Sequence, residues 1–303
     1  MHNKIFFGTE MKRFLSLIVI LIGLLSGLKA SGQATLFDFP VAPDTCSNIE
    51  SRCNYSIQHF WDNCNLTKPF EAQNDSLLMD AMITYFDIMK AGANLNVSLA
   101  SARELMFKSQ ANHDNFLKLM AMAEYLLYYH DYEILDDLYL TFAQSAADAS
   151  WMKKDAREHY AQQVKRINAS KLGQTMLNFE FTSITGARKR LYDVKSNGAK
   201  MYVLMFSDND SGSYIERMRL NTDVALSRVV ASGEVEVINI VVGDTPKKWD
   251  SDSQSYASTW IVGASKDVAG KIDLRIMPCI YILDEYFNVI AKNKTVDFVK
   301  KLM

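Results

Sequence analysis

Side chains able to do nucleophilic, redox or acid–base work are few and unevenly placed in this chain of 303 residues. Three of its four cysteines, Cys46, Cys53 and Cys64, lie close together, and Cys279 stands alone near the other end. Six residues separate Cys46 from Cys53 and ten separate Cys53 from Cys64, unlike the short Cys-x-x-Cys knuckle of a zinc site. The histidines after His2 are His59, His113, His130 and His159, no two of them spaced to share a helical face. Neither set predicts a metal, and no cofactor is expected. Hydroxyls cluster instead at Ser211-Gly212-Ser213-Tyr214, directly after an apolar run that ends at Phe206. A serine hydroxyl is neither a thiolate near neutral pH nor a partner in disulfide exchange.

The elements that must position this loop are legible around it. Met201 to Phe206 is a short run of β-formers, and Ile215, Met218, Leu220 and Val224 begin a helical spacing, so the order is strand, loop, helix, with the helix expected to start near Ser213. Val235 to Val242 reads as a strand buried on both faces. Phe179 to Thr182 and Arg188 to Leu191 predict a hairpin turning at Gly186. Trp260-Ile261-Val262 is a short apolar island. Pro278 heads a further strand to Leu283, where it removes no needed ladder donor. A turn at Asp284 to Asn288, a returning strand at Val289 to Ala291 and a terminal helix through Val296, Val299 and Leu302 complete the region.

Upstream the signal is helical from Phe37 to about Ser170. Leu77, Leu78, Ala81, Met82, Tyr85, Ile88 and Met89 form one apolar stripe after the capping cluster Asn74, Asp75 and Ser76. Phe116 to Leu127 makes a denser second helix, Ile134 to Phe142 a third, and Lys153 to Arg166 an exposed charged one. The aromatic cluster Phe60-Trp61, beside His59 and Asp62, reads as a core anchor. The sequence therefore predicts an α+α/β chain: an all-α N-terminal domain, then an α/β domain with a mixed sheet.

With 49% hydrophobic and 22% charged residues, the chain can bury two ordinary domains. A net charge of −2 and the lack of a dense cationic run exclude a phosphate-backbone binder, so no nucleic-acid partner is expected. Lys12 and Arg13 precede the apolar run Phe14 to Leu25, which is short for a membrane span and reads as a secretory signal cleaved after Ala30 or Gly32. An uncleaved anchor is the other reading. Residues 1–32 are assigned to the signal, 33–170 to the helical domain and 171–303 to the α/β domain, with no membrane association once the signal is removed. An oxidising periplasmic or secreted location makes one disulfide between two of Cys46, Cys53 and Cys64 the expectation. All three pairings stay open, beside a reading in which these are unbonded buried thiols.

The Met201–Leu220 and Ile276–Asp284 stretches together resemble the two halves of a thioredoxin-like site. The wider chain resembles secreted Gram-negative envelope proteins in which a helical domain of unknown function precedes a thioredoxin-like domain of the thiol-disulfide oxidoreductase type. Phe39-Pro40, His59-Phe60-Trp61-Asp62, Gly173, Phe179, Thr259-Trp260-Ile261 and Met277-Pro278 carry that resemblance. It implies a cis peptide bond at Met277-Pro278 and a reactive Cys-x-x-Cys in the loop after Phe206, where this chain has Ser211 and Tyr214. No cysteine lies between Cys64 and Cys279, so no shift of register restores the motif. The resemblance leaves a platform on which Ser211, Gly212, Ser213, Tyr214, Met277 and Pro278 line a vestigial site or peptide groove with no catalytic residue. The expected role is a redox-inactive binding or scaffold module for an envelope protein or peptide. The competing expectation is a thiol-disulfide oxidoreductase whose reactive cysteine is Cys46, Cys53 or Cys64, carried to the site by the helical domain.

Overall fold

The computed structural model describes residues 35–129, 136–208, 210–244 and 256–303. The signal segment, His130, Ile134 and Leu135 lie outside the described residues. The described residues divide into two compact units, 35–129 with 137–157, and Asp136 with 158–208, 210–244 and 256–303.

The first unit is helical. Helix α1 (Ile49–Gln58) is capped by Asn48, whose side chain accepts from the Ser51 N–H at 2.8 Å. Helix α2 (Asp75–Gly92) buries Leu78, Ala81, Met82, Tyr85, Ile88 and Met89 of the stripe its periodicity predicts, together with Phe86, while Leu77 is only half-buried. Asn74 stands at its N-cap without a side-chain hydrogen bond. Helix α3 (Leu95–Ser109) buries Ser98, Ser101 and Ser109 among its apolar residues. Those serines break the apolar rhythm: the Ser101 hydroxyl donates to the Ile57 carbonyl at 2.6 Å, while those of Ser98 and Ser109 donate back to the Asn94 and Met106 carbonyls. Helix α4 (His113–Ala123) passes into a π-helical turn at Glu124–Tyr129, a change of register that the apolar pattern through Leu127 does not announce. Helix α5 (Asp136–Asp148) buries Leu138, Tyr139 and Phe142. Phe60 is wholly buried among Phe37, Phe39, Trp61 and Tyr85 with ring centroids 4.8–5.7 Å away, the packing range of aromatic pairs.

Helix α6 (Lys154–Asn168) is mostly exposed, burying only Gln163 and Ile167. The second unit then builds one seven-stranded mixed sheet in the order β2-β1-β5-β4-β3-β6-β7. Its strands are β1 (Glu180–Ser183), β2 (Arg188–Arg190), β3 (Met201–Ser207), β4 (Val235–Val242), β5 (Ile261–Ser265), β6 (Cys279–Asp284) and β7 (Val289–Lys294). β3, β4 and β5 run parallel, whereas β6 runs antiparallel to β3 and begins where Cys279 faces Phe206.

Alternation sends side chains from the central strands to two buried layers. Leu204, Phe206, Ile238, Ile240, Cys279 and Tyr281 face one layer. Val203, Met205, Val237, Ile280 and Ile282 face the other, where they meet Leu220 of α7 (Ser211–Asn221), Leu226 of α8 (Val224–Ala231) and Val296 and Val299 of α9 (Val296–Leu302). β4 and β6 are largely apolar because both faces of the sheet are covered, and the buried Asn239 of β4 donates to Ser207 Oγ at 3.0 Å. Gly263 of β5 has a structural reason: a Cβ there would stand 2.4 Å from the Phe181 ring and 2.8 Å from the Thr182 carbonyl oxygen.

Candidate functional site

The loop after β3 delivers its chain directly into α7. Asp210 is the N-cap, its carboxylate accepting from the Ser213 N–H at 2.6 Å, so the helix opens at Ser211, two residues before the start that apolar spacing predicts. The cap, not the first apolar residue, sets the boundary. Ser211 and Gly212 are exposed and Tyr214 is 42% exposed, while Ser213 is wholly buried. Gly212 has no steric obligation to be glycine, since a Cβ there would meet the Asp210 carboxylate at an ordinary 3.5 Å.

Ser213 ties the loop together. Its hydroxyl donates to Asp208 Oδ1 at 2.5 Å and accepts from the Asp208 N–H at 3.2 Å, and the Asp210 N–H donates to the same Asp208 oxygen at 3.2 Å. Arg217, one turn along α7, is 1% exposed; its guanidinium donates to the Asp208 carbonyl at 3.1 Å and lies 5.1 Å from the centre of the Tyr256 ring. The Ser213 N–H bond is the largest cause holding the Asp210 carboxyl below its ordinary value. A carboxylate thus already sits on the donors at the start of α7, where a thioredoxin-type site uses them to favour a thiolate.

The other half of the site lies at the start of β6. The Met277–Pro278 bond is cis. The β3–β6 ladder ends at Phe206 and Cys279, so Met277 stands beyond it, at the end of the sheet where β3 runs into the Ser211 loop. Ile276 is 41% exposed and Met277 and Pro278 are half-buried.

None of the thiols joins this arrangement. Cys279 points into the layer opposite α7, is 2% exposed and donates to Asn293 Oδ1 at 3.1 Å. Burial, with the Asp273 charge adding to it, pushes its thiol up to about 12. The disulfide expected among Cys46, Cys53 and Cys64 is not formed, and all three are free thiols. Cys53 is buried on α1, and its sulfur lies 3.9 Å from where a Cβ on Gly92 would stand, which places it in packing between helices. Burial raises the Cys53 thiol and pushes that of Cys64 up to about 11.

The histidines are held apart. His59 Nδ1 lies 2.8 Å from Asp62 Oδ2, His113 stacks on Trp151 at 3.7 Å between ring centres, and His159 Nε2 lies 3.1 Å from the Gln163 amide nitrogen. No three His, Cys, Asp or Glu side chains among the described residues form a group that could hold a metal. No helix among the described residues is long and apolar enough to cross a membrane.

A second polar cluster of this unit is absent from the sequence reading. Asp136, Asp273, Arg275 and Lys292 form a closed ionic network, Arg275 directly preceding the Ile276–Pro278 loop, with side chains that are 16%, 0%, 1% and 2% exposed. Its members are separated by up to 156 positions, so no local spacing could have joined them.

Residues 26–170 match a family model described as a domain of unknown function, DUF5106. Among solved structures, the chain is similar to a thioredoxin-like protein from Bacteroides caccae, with a TM-score of 0.77 and 18% identity over 89% of this chain and 98% of that one. It is also similar to a domain of a possible thiol-disulfide isomerase from Cytophaga hutchinsonii, at a TM-score of 0.38 and 22% identity over 44% of this chain and 90% of that one. The thioredoxin domain of a thiol-disulfide oxidoreductase from Bacteroides vulgatus gives a TM-score of 0.36 and 16% identity, over 44% of this chain and 97% of that one. No curated protein matches the chain. The fold is therefore a helical N-terminal region followed by a thioredoxin-like α/β domain.

Proposed function

We propose that this protein is a redox-inactive thioredoxin-like module that binds an extended peptide segment of a partner in the cell envelope. The observation that carries the reading is the pairing of an exposed Ser211 at the first turn of α7 with a Met277 backbone left outside the sheet ladder. Strand addition needs main-chain donors and acceptors and side-chain pockets, not a thiol. Exposed Tyr214, Ile215 and Ile276 supply apolar surface at the same end of the sheet. The signal-like N-terminal segment supports a periplasmic or secreted location. The alternative, an oxidoreductase drawing on other cysteines, is disfavoured at Cys53, Cys64 and Cys279, whose thiols burial raises, which leaves the half-exposed Cys46 as its candidate.

The test has two arms. Insulin reduction in the presence of dithiothreitol should run at the uncatalysed rate; turnover that depends on a cysteine would establish the alternative. Random peptides displayed on phage should yield binders that perturb the amide resonances of Met277, Ser211 and Tyr214. Binders that perturb only residues elsewhere would remove the groove from the account.

A further inference from the structure

The buried ionic network has no part in thiol chemistry, and its position gives it another role. Arg275 Nε donates to Asp273 Oδ1 at 3.0 Å, and its Nη2 lies 2.8 Å from Asp273 Oδ2 and 2.5 Å from Asp136 Oδ1. Lys292 Nζ closes the ring, 2.6 Å from Asp136 Oδ2 and 2.9 Å from Asp273 Oδ2. Two cations and two carboxylates thus balance, with each cation reaching both acids.

This balance is set immediately before the binding loop. Arg275 is 1% exposed at its side chain, and the next residue, Ile276, is 41% exposed. The loop's far end is fixed as well: the Cys279 thiol bonds to Asn293, the neighbour of Lys292, and the buried Tyr281 hydroxyl donates to the Asp273 carbonyl, with Ser170 Oγ 3.2 Å away. Burial alone would raise the Asp273 carboxyl, but the charges of Lys292 and Arg275 overcome it and hold it below its ordinary value. A buried network of this kind adds little net stability over apolar packing, whereas removing one member leaves an uncompensated charge. Its use is therefore better sought in fixing one geometry.

We propose that Asp136, Asp273, Arg275 and Lys292 are positioning residues that clamp the Ile276–Pro278 loop and so set the presentation of the Met277 backbone. The proposal rests on the peptide-binding reading for its purpose, but its geometry is testable without any peptide.

Hydrogen exchange of the full chain supplies that test. Lys292→Met keeps the stem and leaves an unbalanced acid, so the Ile276, Met277 and Cys279 amides should exchange about ten-fold faster while β4 amides hold their rates. Lys292→Met with Asp136→Asn restores one acid to one cation and should bring the loop back to within about three-fold of wild type. Arg275→Lys keeps the charge but should still speed exchange of the same three amides, because a single ammonium cannot reproduce the planar fork that grips Asp273. Should Lys292→Met not fold, Asp136→Asn alone, at the most exposed member, should loosen the same three amides by about three-fold. Unchanged loop exchange in the folded variants overturns the proposal, as does acceleration that β4 shares in equal measure. If the loop loosens as expected but phage-selected peptides bind wild type and variant alike, the clamp stands and the groove reading falls.

Discussion

Restoring the missing dithiol, by Ser211→Cys with Tyr214→Cys, asks whether these positions are the reactive pair of the fold. Positions three apart on a helix lie about 5–6 Å from one another at Cβ, close enough for a first-turn disulfide after a small adjustment. In a site with free helix donors the first thiol would fall from about 8.5 into the range of roughly 3.5–7.5. Here the donors are occupied: the Asp210 carboxylate takes the Ser213 N–H at 2.6 Å and precedes residue 211 in the chain. At a separation of about 6 Å and a water-like dielectric, that charge opposes a new thiolate by about half a pKa unit, and by more where solvent is excluded. The thiol of Ser211→Cys should therefore titrate near 8, close to a free cysteine. Adding Asp210→Asn, which keeps a good N-cap, should lower it by about half a unit or more. Thiolate absorbance against pH, checked by the rate of iodoacetamide alkylation, reads both values. A thiol already well below 7 with Asp210 intact, or one indifferent to Asp210→Asn, would refute the argument that the carboxylate quenches this helix end. A folded double variant that never closes its disulfide would show that residues 211 and 214 are not the vestigial pair.

Other perturbations bear on the scaffold. Ser213→Ala removes a buried hydroxyl that donates to Asp208 and accepts from its N–H, so urea unfolding should show a loss of about 1–3 kcal/mol. Gly263→Ala places a methyl group against the Phe181 ring and should cost about 1–3 kcal/mol or more, against near-neutral Gly212→Ala; equal midpoints would contradict the close approach of β1 and β5. Acid should also act through Asp273, whose carboxyl is held below its unfolded value of about 3.9. Its contribution is complete above that value and is lost as pH falls through the lower folded value. Asp273→Asn should thus reduce stability at neutral pH and flatten the acid limb of a urea-midpoint curve, and a parallel shift of the whole curve would count against that sign.

Legibility followed the range over which each signal acts. β4 was readable because a strand covered on both faces is rich in β-branched residues, here Val235, Val237, Ile238, Ile240, Val241 and Val242, and the β1–β2 hairpin because Gly186 supplies the positive φ of its turn. Helix α3 was not picked out as a separate element, since Ser98, Ser101 and Ser109 occupy buried positions that a hydropathy pattern assigns to solvent. The start of α7 was placed two residues late for a comparable reason: the cap is a carboxylate in a polar loop, and polar loops carry no periodicity. Ser211, Tyr214, Met277 and Pro278 were grouped through the resemblance to a thioredoxin-like site; Ser211 and Tyr214 stand in the first turn of α7 after β3, and Met277 and Pro278 just before β6. The ionic network could not, because charge pairing across 139 and 156 positions leaves no trace in neighbouring residues.

The location of Cys279 sets its thiol apart from the first turn of α7. It immediately follows the cis bond at Met277–Pro278, so proximity in sequence favours it as a substitute thiol. Strand alternation decides otherwise. Phe206 and Cys279 face each other across the ladder and both enter the layer opposite α7, whereas Met205 and Ile280 enter the layer that α7 covers. Moving Cys279 to the α7 side would require a one-residue slip of β6, which would send Tyr281 and Leu283 to the wrong layer and Ile280 and Ile282 to the other. The Tyr281 hydroxyl would then leave Ser170 and the Asp273 carbonyl, breaking the polar packing that surrounds the ionic network. The same packing that positions the loop thus keeps its adjacent thiol buried, and Cys279→Ser should leave insulin reduction at the uncatalysed rate. Cysteine-dependent turnover lost in that variant would show that β6 can change register.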